Sequence, residues 1–505
     1  MSLVVYLSLF LIPFVLYASV SRLYGTSRLP LPPGPPAKPF IGNILSVLPK
    51  KRWSELIRHR QFDWFIPGNL AFFHGFGKNM LVVNSIDDVR EMLEKRADIY
   101  AARPWFTVAC EVFGAGEIFP MRPSGDPEWR LQRKLVHFGL SQTAVKRYTP
   151  AQEDIAALLA KQLLETPSAF FDHVRLATSR LILAVTYGFS AETAATQGYI
   201  QEAEYVIKTM SESVEPGAYL CDAIPILRHV PAWIPLFSKM NLNRGMFTKF
   251  FTRPYEHVKH QLMDGTARPS FVQHLLYENA EAREVASFEY SLKCAAGSMY
   301  GGGVETVGMT ILTCMMAMAL NPDKQRLAQE EINRVIGGDR LPRLDDRPNL
   351  PYIAAVIKET MRWQPALPLG FARATTKDDE YNGYHIPSGT YILPNVWFVS
   401  MVDKYNVDEF IPERFLDSEE SVHDPWSYAL GFGRRYCPGR YLTEDTLFID
   451  IVTILAMFNL EPEGEVKPEF TVTTIGYPKP YKCHIVPRSE AKVQLILARA
   501  MEATF

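Results

Sequence analysis

The stretch Leu430-Gly431-Phe432-Gly433-Arg434-Arg435-Tyr436-Cys437-Pro438-Gly439-Arg440 decides how the chain is read. Its glycines and proline break any regular helix or strand and mark a tight, irregular loop. Glycine tolerates backbone conformations closed to other residues, so backbone N–H groups can turn toward the Cys437 sulfur. A thiolate held that way is a metal ligand kept close and dry, with its charge tuned by those N–H groups. Arg435 adds a fixed cation beside it. A lone buried cysteine is more often a small core residue than a ligand. The rest of the chain has to supply the context.

The chain has 505 residues, 47% of them hydrophobic, enough for a large core. Beyond residue 45 there is no Ser/Gly-rich linker, low-complexity tract or internal repeat, so one body spanning 46–505 is expected. Lys and Arg number 53 against 55 Asp and Glu, for a net charge of −2. That balance lacks the basic footprint of a nucleic-acid binder. Cys110, Cys221, Cys294, Cys314, Cys437 and Cys483 are scattered, with no CxxC pair. The spacing argues against zinc, iron–sulfur sites and a disulfide scaffold.

Residues Leu3 to Val20 are almost uninterrupted apolar residues. As a helix they reach about 27 Å, close to the thickness of an endoplasmic-reticulum bilayer. Arg22, Arg28 and Lys38 follow the run and no Lys or Arg precedes it. The positive-inside rule then leaves the body cytoplasmic, behind a single-pass anchor at 1–21. A cleaved secretory signal is the competing reading, but the charged leader segment is missing and the apolar run is too long. The basic, proline-rich residues 22–45 include Leu31-Pro32-Pro33-Gly34-Pro35-Pro36, which reads as a stiff extended spacer.

The body is expected to be mostly α with a small β region. Amphipathic patterns fall at Ile86–Lys95, Pro127–Phe138, Pro150–Leu164, Glu202–Ser213, Ser287–Leu320, Pro322–Ile336 and Tyr352–Trp363. Ser85, Asp126 and Asn321 are expected N-caps, the last two each followed by proline. Strand patterns fall at Leu70–Phe73, Met80–Val83, Tyr384–Ile386, Tyr391–Leu393 and Lys482–Val486.

Three further motifs accompany the cysteine loop. Glu359 and Arg362 share a helix face, and Pro412-Glu413-Arg414-Phe415 follows. Alone, such a pair is usually a solvated surface bridge. Trp129 and Arg133, four apart, share another face; the bland reading is a core Trp beside a surface Arg. Gly301-Gly302-Gly303-Val304-Glu305-Thr306 lies inside a long apolar helix, where each glycine costs about 1 kcal/mol relative to alanine. Close helix packing is one reason for them, and room for a ligand is the other. Thr306 can bond back to the carbonyl of Gly302 and bend the helix.

Taken together and in this order, the motifs resemble the cytochrome P450 superfamily, and their wording resembles its fungal microsomal branch. The superfamily's loop pattern is Phe-x-x-Gly-x-Arg-x-Cys-x-Gly. Gly433, Arg435, Cys437 and Gly439 match it, while Leu430 replaces the initial Phe. The resemblance implies the family fold behind one N-terminal transmembrane helix. It also implies haem b with iron bound axially by the Cys437 thiolate. Arg435, Trp129 and Arg133 would serve the haem propionates, with Arg373 a weaker candidate, and Gly433 and Gly439 would shape the loop. Glu359, Arg362 and Arg414 would form a buried supporting triad. Glu305 and Thr306 would be the acid and the alcohol that relay protons during O2 activation.

The implied reaction inserts one oxygen atom from O2 into an apolar small molecule, with electrons from a membrane-bound NADPH-dependent flavoprotein reductase. Secondary-metabolite biosynthesis, for example of terpenoids, is the implied setting. Substrate contacts expected by position are Phe106, Phe113, Phe119, Met299, Tyr300, Gly303, Leu369, Phe371 and Ile475. Two rival readings are a haem-thiolate isomerase that rearranges a peroxide and a non-catalytic haem- or lipid-binding protein. The Glu305-Thr306 pair speaks against the first, and the second would not need a glycine groove, a proton relay and a reductase-compatible anchor together.

Overall fold

The computed structural model describes residues 29–503 apart from 39–41, 44–68, 76, 191–197, 216–217, 223, 232, 235–237, 239, 241, 280–284, 402–407, 417–421 and 472. The expected anchor at 1–21 and half of the 22–45 hinge lie outside the described residues.

The long helices are α1 (Pro127–Leu140), α2 (Thr149–Glu165), α3 (Phe170–Tyr187), α4 (Tyr199–Ser213), α5 (Met246–Met263), α6 (Val285–Leu320), α7 (Pro322–Ile336), α8 (Pro351–Trp363), α9 (Arg440–Met457) and α10 (Glu490–Glu502). Helix α6 is apolar on nearly every face, the pattern of a helix surrounded by protein. It packs against α1, α3, α5, α8 and α9 and forms the axis of the body. Its Ser287–Leu320 stretch is long and apolar enough to cross a membrane, yet its most apolar window is 78% buried inside the protein.

Strands β1 (Leu70–Gly75), β2 (Lys78–Val83), β3 (Arg373–Ala374) and β6 (Tyr391–Pro394) form one sheet in the order β1-β2-β6-β3. Strands β4 (Asp379–Tyr381) and β5 (Tyr384–Ile386) pair antiparallel, as do β7 (Phe458–Pro462) and β8 (Cys483–Pro487). The mostly helical expectation holds. The expected helices appear with ends shifted by a few residues, except that Ile86–Lys95 is α-helical only to Arg90 and then widens into a π turn.

Two caps form as expected: Ser85 accepts from Asp88 N and Asp126 from Glu128 N. Asn321 does not cap with its side chain, which donates instead to Ala317 O at 2.8 Å. Its backbone carbonyl takes the first N–H groups of α7. The proline-rich segment also differs from a free spacer. Phe72 N–H donates to Pro33 O and His385 N–H to Pro30 O, so the segment is stitched to β1 and β5. A Cβ at Gly34 would sit 1.9 Å from Phe72 O, which explains the glycine there.

The ion triad is present. Arg362 forms a two-pronged bond to Glu359 at 2.7 and 2.8 Å, and Arg414 Nε reaches the same carboxylate at 3.1 Å. Glu359 is fully buried and also accepts from Ile411 N–H at 2.7 Å. Helix α8 is thereby fastened to the 409–415 segment.

Candidate active site

Between α6, the N-terminal half of α9 and the cysteine loop lies a cavity of about 370 Å³. The loop is folded by its glycines. Gly433 has φ +52°, and a Cβ there would meet Leu93 O at 2.3 Å, so no other residue fits against that backbone. Gly439 has an ordinary φ; its contribution is a backbone N–H toward the Cys437 sulfur. Cys437 N–H bonds to Leu430 O at 2.9 Å and closes the turn. All six cysteines are free thiols, and five are buried. Cys437 is the one with open surface, and that surface faces the cavity. Burial raises its thiol pKa, while the Gly439 N–H and the Arg133 cation act to lower it.

Four guanidiniums line the same cavity: Arg103, Arg133, Arg373 and Arg435. Arg435 donates to the carbonyls of Ala101, Phe119 and Arg122. Arg133 donates to Tyr436 O at 2.5 Å and Arg373 to Phe432 O at 3.2 Å. Arg103 donates to the carbonyls of Pro120, Phe371 and Ala372. Among the described residues no carboxylate forms an ion pair with any of the four. Burial, reinforced by repulsion from neighbouring arginines, pushes Arg373 and Arg435 down to about 9 and lowers Arg103, while burial alone lowers Arg133. Trp129 does not line the cavity. Its ring lies 4.9 Å from the Arg435 guanidinium, and its indole N–H is buried without an acceptor. The Arg373 Nε–H is orphaned in the same way.

Haem fits this arrangement. Two orphaned N–H groups and four cations lacking carboxylate partners call for an anion at that edge of the cavity, and propionates supply one. Among the described residues no three His, Cys, Asp or Glu side chains converge as a metal site. A metal there would take one ligand from Cys437 and the rest from the group that carries it. Arg103 was not anticipated, because it belongs to no motif and gains its place only through the fold.

On the opposite wall, Thr306 Oγ donates to Gly302 O at 3.0 Å, as its spacing suggested. A Cβ on Gly301 or Gly302 would meet nothing within 4 Å, so both leave open space. Gly303 behaves differently. A Cβ there would sit 2.6 Å from Ile182 Cδ1, so this glycine chiefly serves contact between α6 and α3. Glu305 does not line the cavity. Burial raises its pKa, with Arg175 opposing and Glu204 reinforcing the shift.

Of the expected substrate contacts, Phe119, Met299, Gly303, Phe371 and Ile475 line the main cavity. Phe106, Leu369 and Phe371 line a smaller neighbouring cavity of about 60 Å³. Two expectations fail. Phe113 is fully buried against Tyr219, and Tyr300 is turned away and stacked on Phe250. A helix apolar all round gives no periodic signal of which face meets the cavity.

A family model described as Cytochrome P450 matches residues 32–484. The chain is 36% identical over 488 residues to cytochrome P450 monooxygenase claR of Ampulloclitocybe clavipes, covering 94% of this chain and 89% of the relative. It is 35% identical over 487 residues to cytochrome P450 monooxygenase 208 of Postia placenta, covering 94% and 93%. With cytochrome P450 monooxygenase COX1 of Coprinopsis cinerea it shares 34% over 505 residues, covering 96% of each.

Proposed function

The chain belongs to the cytochrome P450 family, and from that premise we propose that it is a membrane-anchored monooxygenase acting on an apolar small molecule. The observation that carries the reading is the pairing, in one cavity, of the Cys437 thiol with four cations, two buried and two half-buried, that have no carboxylate partner among the described residues. Cys437 would bind the iron through its thiolate, and Arg435, Arg373 and Arg133 would hold the propionates, with the unpartnered indole N–H of Trp129 beside Arg435 as a further donor. Bound there, haem supplies O2 activation and electron uptake, which the thiolate promotes.

The protein's own residues do the rest. Thr306 presents a hydroxyl to the cavity from a helix opened by Gly301 and Gly302, and that hydroxyl would hold the proton that O2 activation consumes. Glu305, one residue away and raised in pKa by burial, resupplies that proton from outside the cavity. The walls, built from residues such as Phe119, Leu181, Ile182, Ile207, Phe247 and Ile475, exclude water and suit an apolar substrate. The balance is substrate, O2, NADPH and one proton giving hydroxylated product, water and NADP⁺. Electrons come from a membrane-bound flavoprotein reductase, and the anchor at 1–21 keeps both partners on the cytoplasmic face of the endoplasmic reticulum. Tailoring of a secondary metabolite such as a terpenoid suits the apolar walls.

The test is stoichiometry. Microsomes with NADPH and a panel of terpenoid and aromatic precursors should give product only when NADPH is present. Thr306→Ala should keep consuming NADPH but release hydrogen peroxide in place of product. A peroxide-rearranging isomerase would form product without NADPH, and unchanged coupling in Thr306→Ala would sink the proton role.

A further inference from the structure

Segment 473–477 touches three parts of the site at once. Thr474 and Ile475 line the cavity. Thr474 Oγ donates to Ser211 O in α4 at 3.4 Å, and Gly476 N–H donates to Ala366 O at 3.0 Å beyond α8. Tyr477 then reaches α6, where its phenol O–H donates to the backbone carbonyl of Glu305 at 3.2 Å. The segment is locked internally, since Tyr477 N–H meets both Ile475 O and Thr471 Oγ.

The place of that contact on α6 is telling. Thr306 Oγ takes the carbonyl of Gly302, and Thr310 Oγ takes the carbonyl of Thr306 at 2.9 Å. Side-chain bonds to helix carbonyls loosen and bend a helix. A carbonyl drawn outward by an external donor tilts and lengthens its own helical bond. Tyr477 therefore pulls on the peptide that joins Glu305 to Thr306. The charged groups facing Glu305 are Arg175 on α3 and Glu204 and Lys208 on α4, with Arg175 and Glu204 paired at 2.9 Å. The phenol is mostly buried, and burial first and Glu305 second raise its pKa well above the ordinary value, so it stays a neutral donor.

We propose that Tyr477 is a positioning residue that couples substrate contact at Ile475 to the orientation of the Glu305–Thr306 peptide, and so to proton delivery. A substrate pressing on Ile475 moves a short, stiff segment whose far end is the Tyr477 hydroxyl. Without that contact the Glu305 carbonyl is released to its own helical bond, and Thr306 loses the alignment that proton delivery needs. The proposal rests on the proton role assigned to Thr306.

Tyr477→Phe removes only the hydroxyl. It should leave the carbon monoxide spectrum, the unfolding midpoint and KM unchanged. Product per NADPH should fall by roughly three- to tenfold, well short of the 10²–10⁴ typical of losing an acid–base group itself. Hydrogen peroxide should rise to match. The probes are 7-ethoxycoumarin and the terpenoid of the panel that is turned over fastest. Hydrogen exchange gives a readout independent of turnover. In the parent protein the probe should change protection at amides 305–310, and in Tyr477→Phe it should not. If Thr306→Ala uncouples and Tyr477→Phe does not, Tyr477 is only a core residue and the proposal falls. If neither uncouples, the proton reading falls and takes the proposal with it.

Discussion

Replacing Arg373 by methionine asks whether the cavity's cations are built for an anion. In the haem-free protein, burial first and the Arg435 and Arg133 cations second push Arg373 down to about 9. One pKa unit is ~1.4 kcal/mol, so keeping Arg373 charged without a counter-ion costs at most roughly 5 kcal/mol. Water entering the open cavity and the bond to Phe432 O reduce that figure, and a net cost of about 1–3 kcal/mol is expected. The folded-state value is depressed, so between about pH 9 and the ordinary guanidinium range the unfolded chain binds more protons. Stability of the haem-free protein should therefore rise with pH across that window and carry the full penalty below it. Arg373→Met removes the charge and keeps an apolar stem of similar reach. Urea unfolding of the haem-free variant should show a gain of about 1–3 kcal/mol at pH 7. Haem transfer to excess apomyoglobin should instead accelerate by about 10- to 100-fold, the worth of one charge-assisted hydrogen bond. The two effects have opposite signs, and that is the diagnostic. A variant that is less stable without haem and transfers haem at the parent rate would show that Arg373 merely braces Phe432.

In Cys437→Ser the reduced protein with carbon monoxide should lose the red-shifted Soret band of a thiolate-ligated haem, whereas Cys294→Ser should keep it; survival of the band in the first variant refutes the ligand. Glu359→Ala removes the carboxylate shared by Arg362 and Arg414 and should cost about 3–5 kcal/mol in urea unfolding, while a loss under about 1 kcal/mol would make the triad a bystander. Gly301→Ala should stabilise α6 by up to about 1 kcal/mol because its Cβ meets open space. Gly303→Ala should destabilise by roughly 1–3 kcal/mol through the clash with Ile182, and equal effects at the two positions would refute the division of roles.

What could be read from the sequence, and what could not, follows from where the constraints act. The Cys437 turn onto Leu430 and the Glu359–Arg362 pair are fixed by short-range geometry, so a few residues in order carry the information. The Thr306 back-bond to Gly302 was legible for the same reason, as it needs only one helical turn. Gly433 and Arg435 were legible only through the motif, since their partners Leu93, Ala101, Phe119 and Arg122 lie far away in the chain. Arg103 joins the cation cluster through bonds to the carbonyls of Phe371 and Ala372, far away in the chain, and leaves no local trace. Tyr300 and Met299 are equally apolar neighbours on α6, yet only Met299 meets the cavity. The three glycines looked alike until the position of Ile182 separated Gly303 from the other two. Asn321 had the composition of a cap, but its amide found the closer carbonyl of Ala317.

The stitching of Pro30 and Pro33 onto the sheet has a mechanical consequence. A tether bonded to its cargo cannot act as a swivel, so the line that pays out toward residue 21 starts at a fixed cleat beside β1 and β5. The roughly eight residues from 22 to 29 reach at most about 28 Å when fully drawn out. With the proposed anchor at 1–21, the body would ride at a bounded height above the bilayer. Inserting a run of Gly-Ser repeats just before Leu29 would lengthen that leash without touching the cleat. It would change how often the body meets a partner in the same membrane while leaving the cavity as it is.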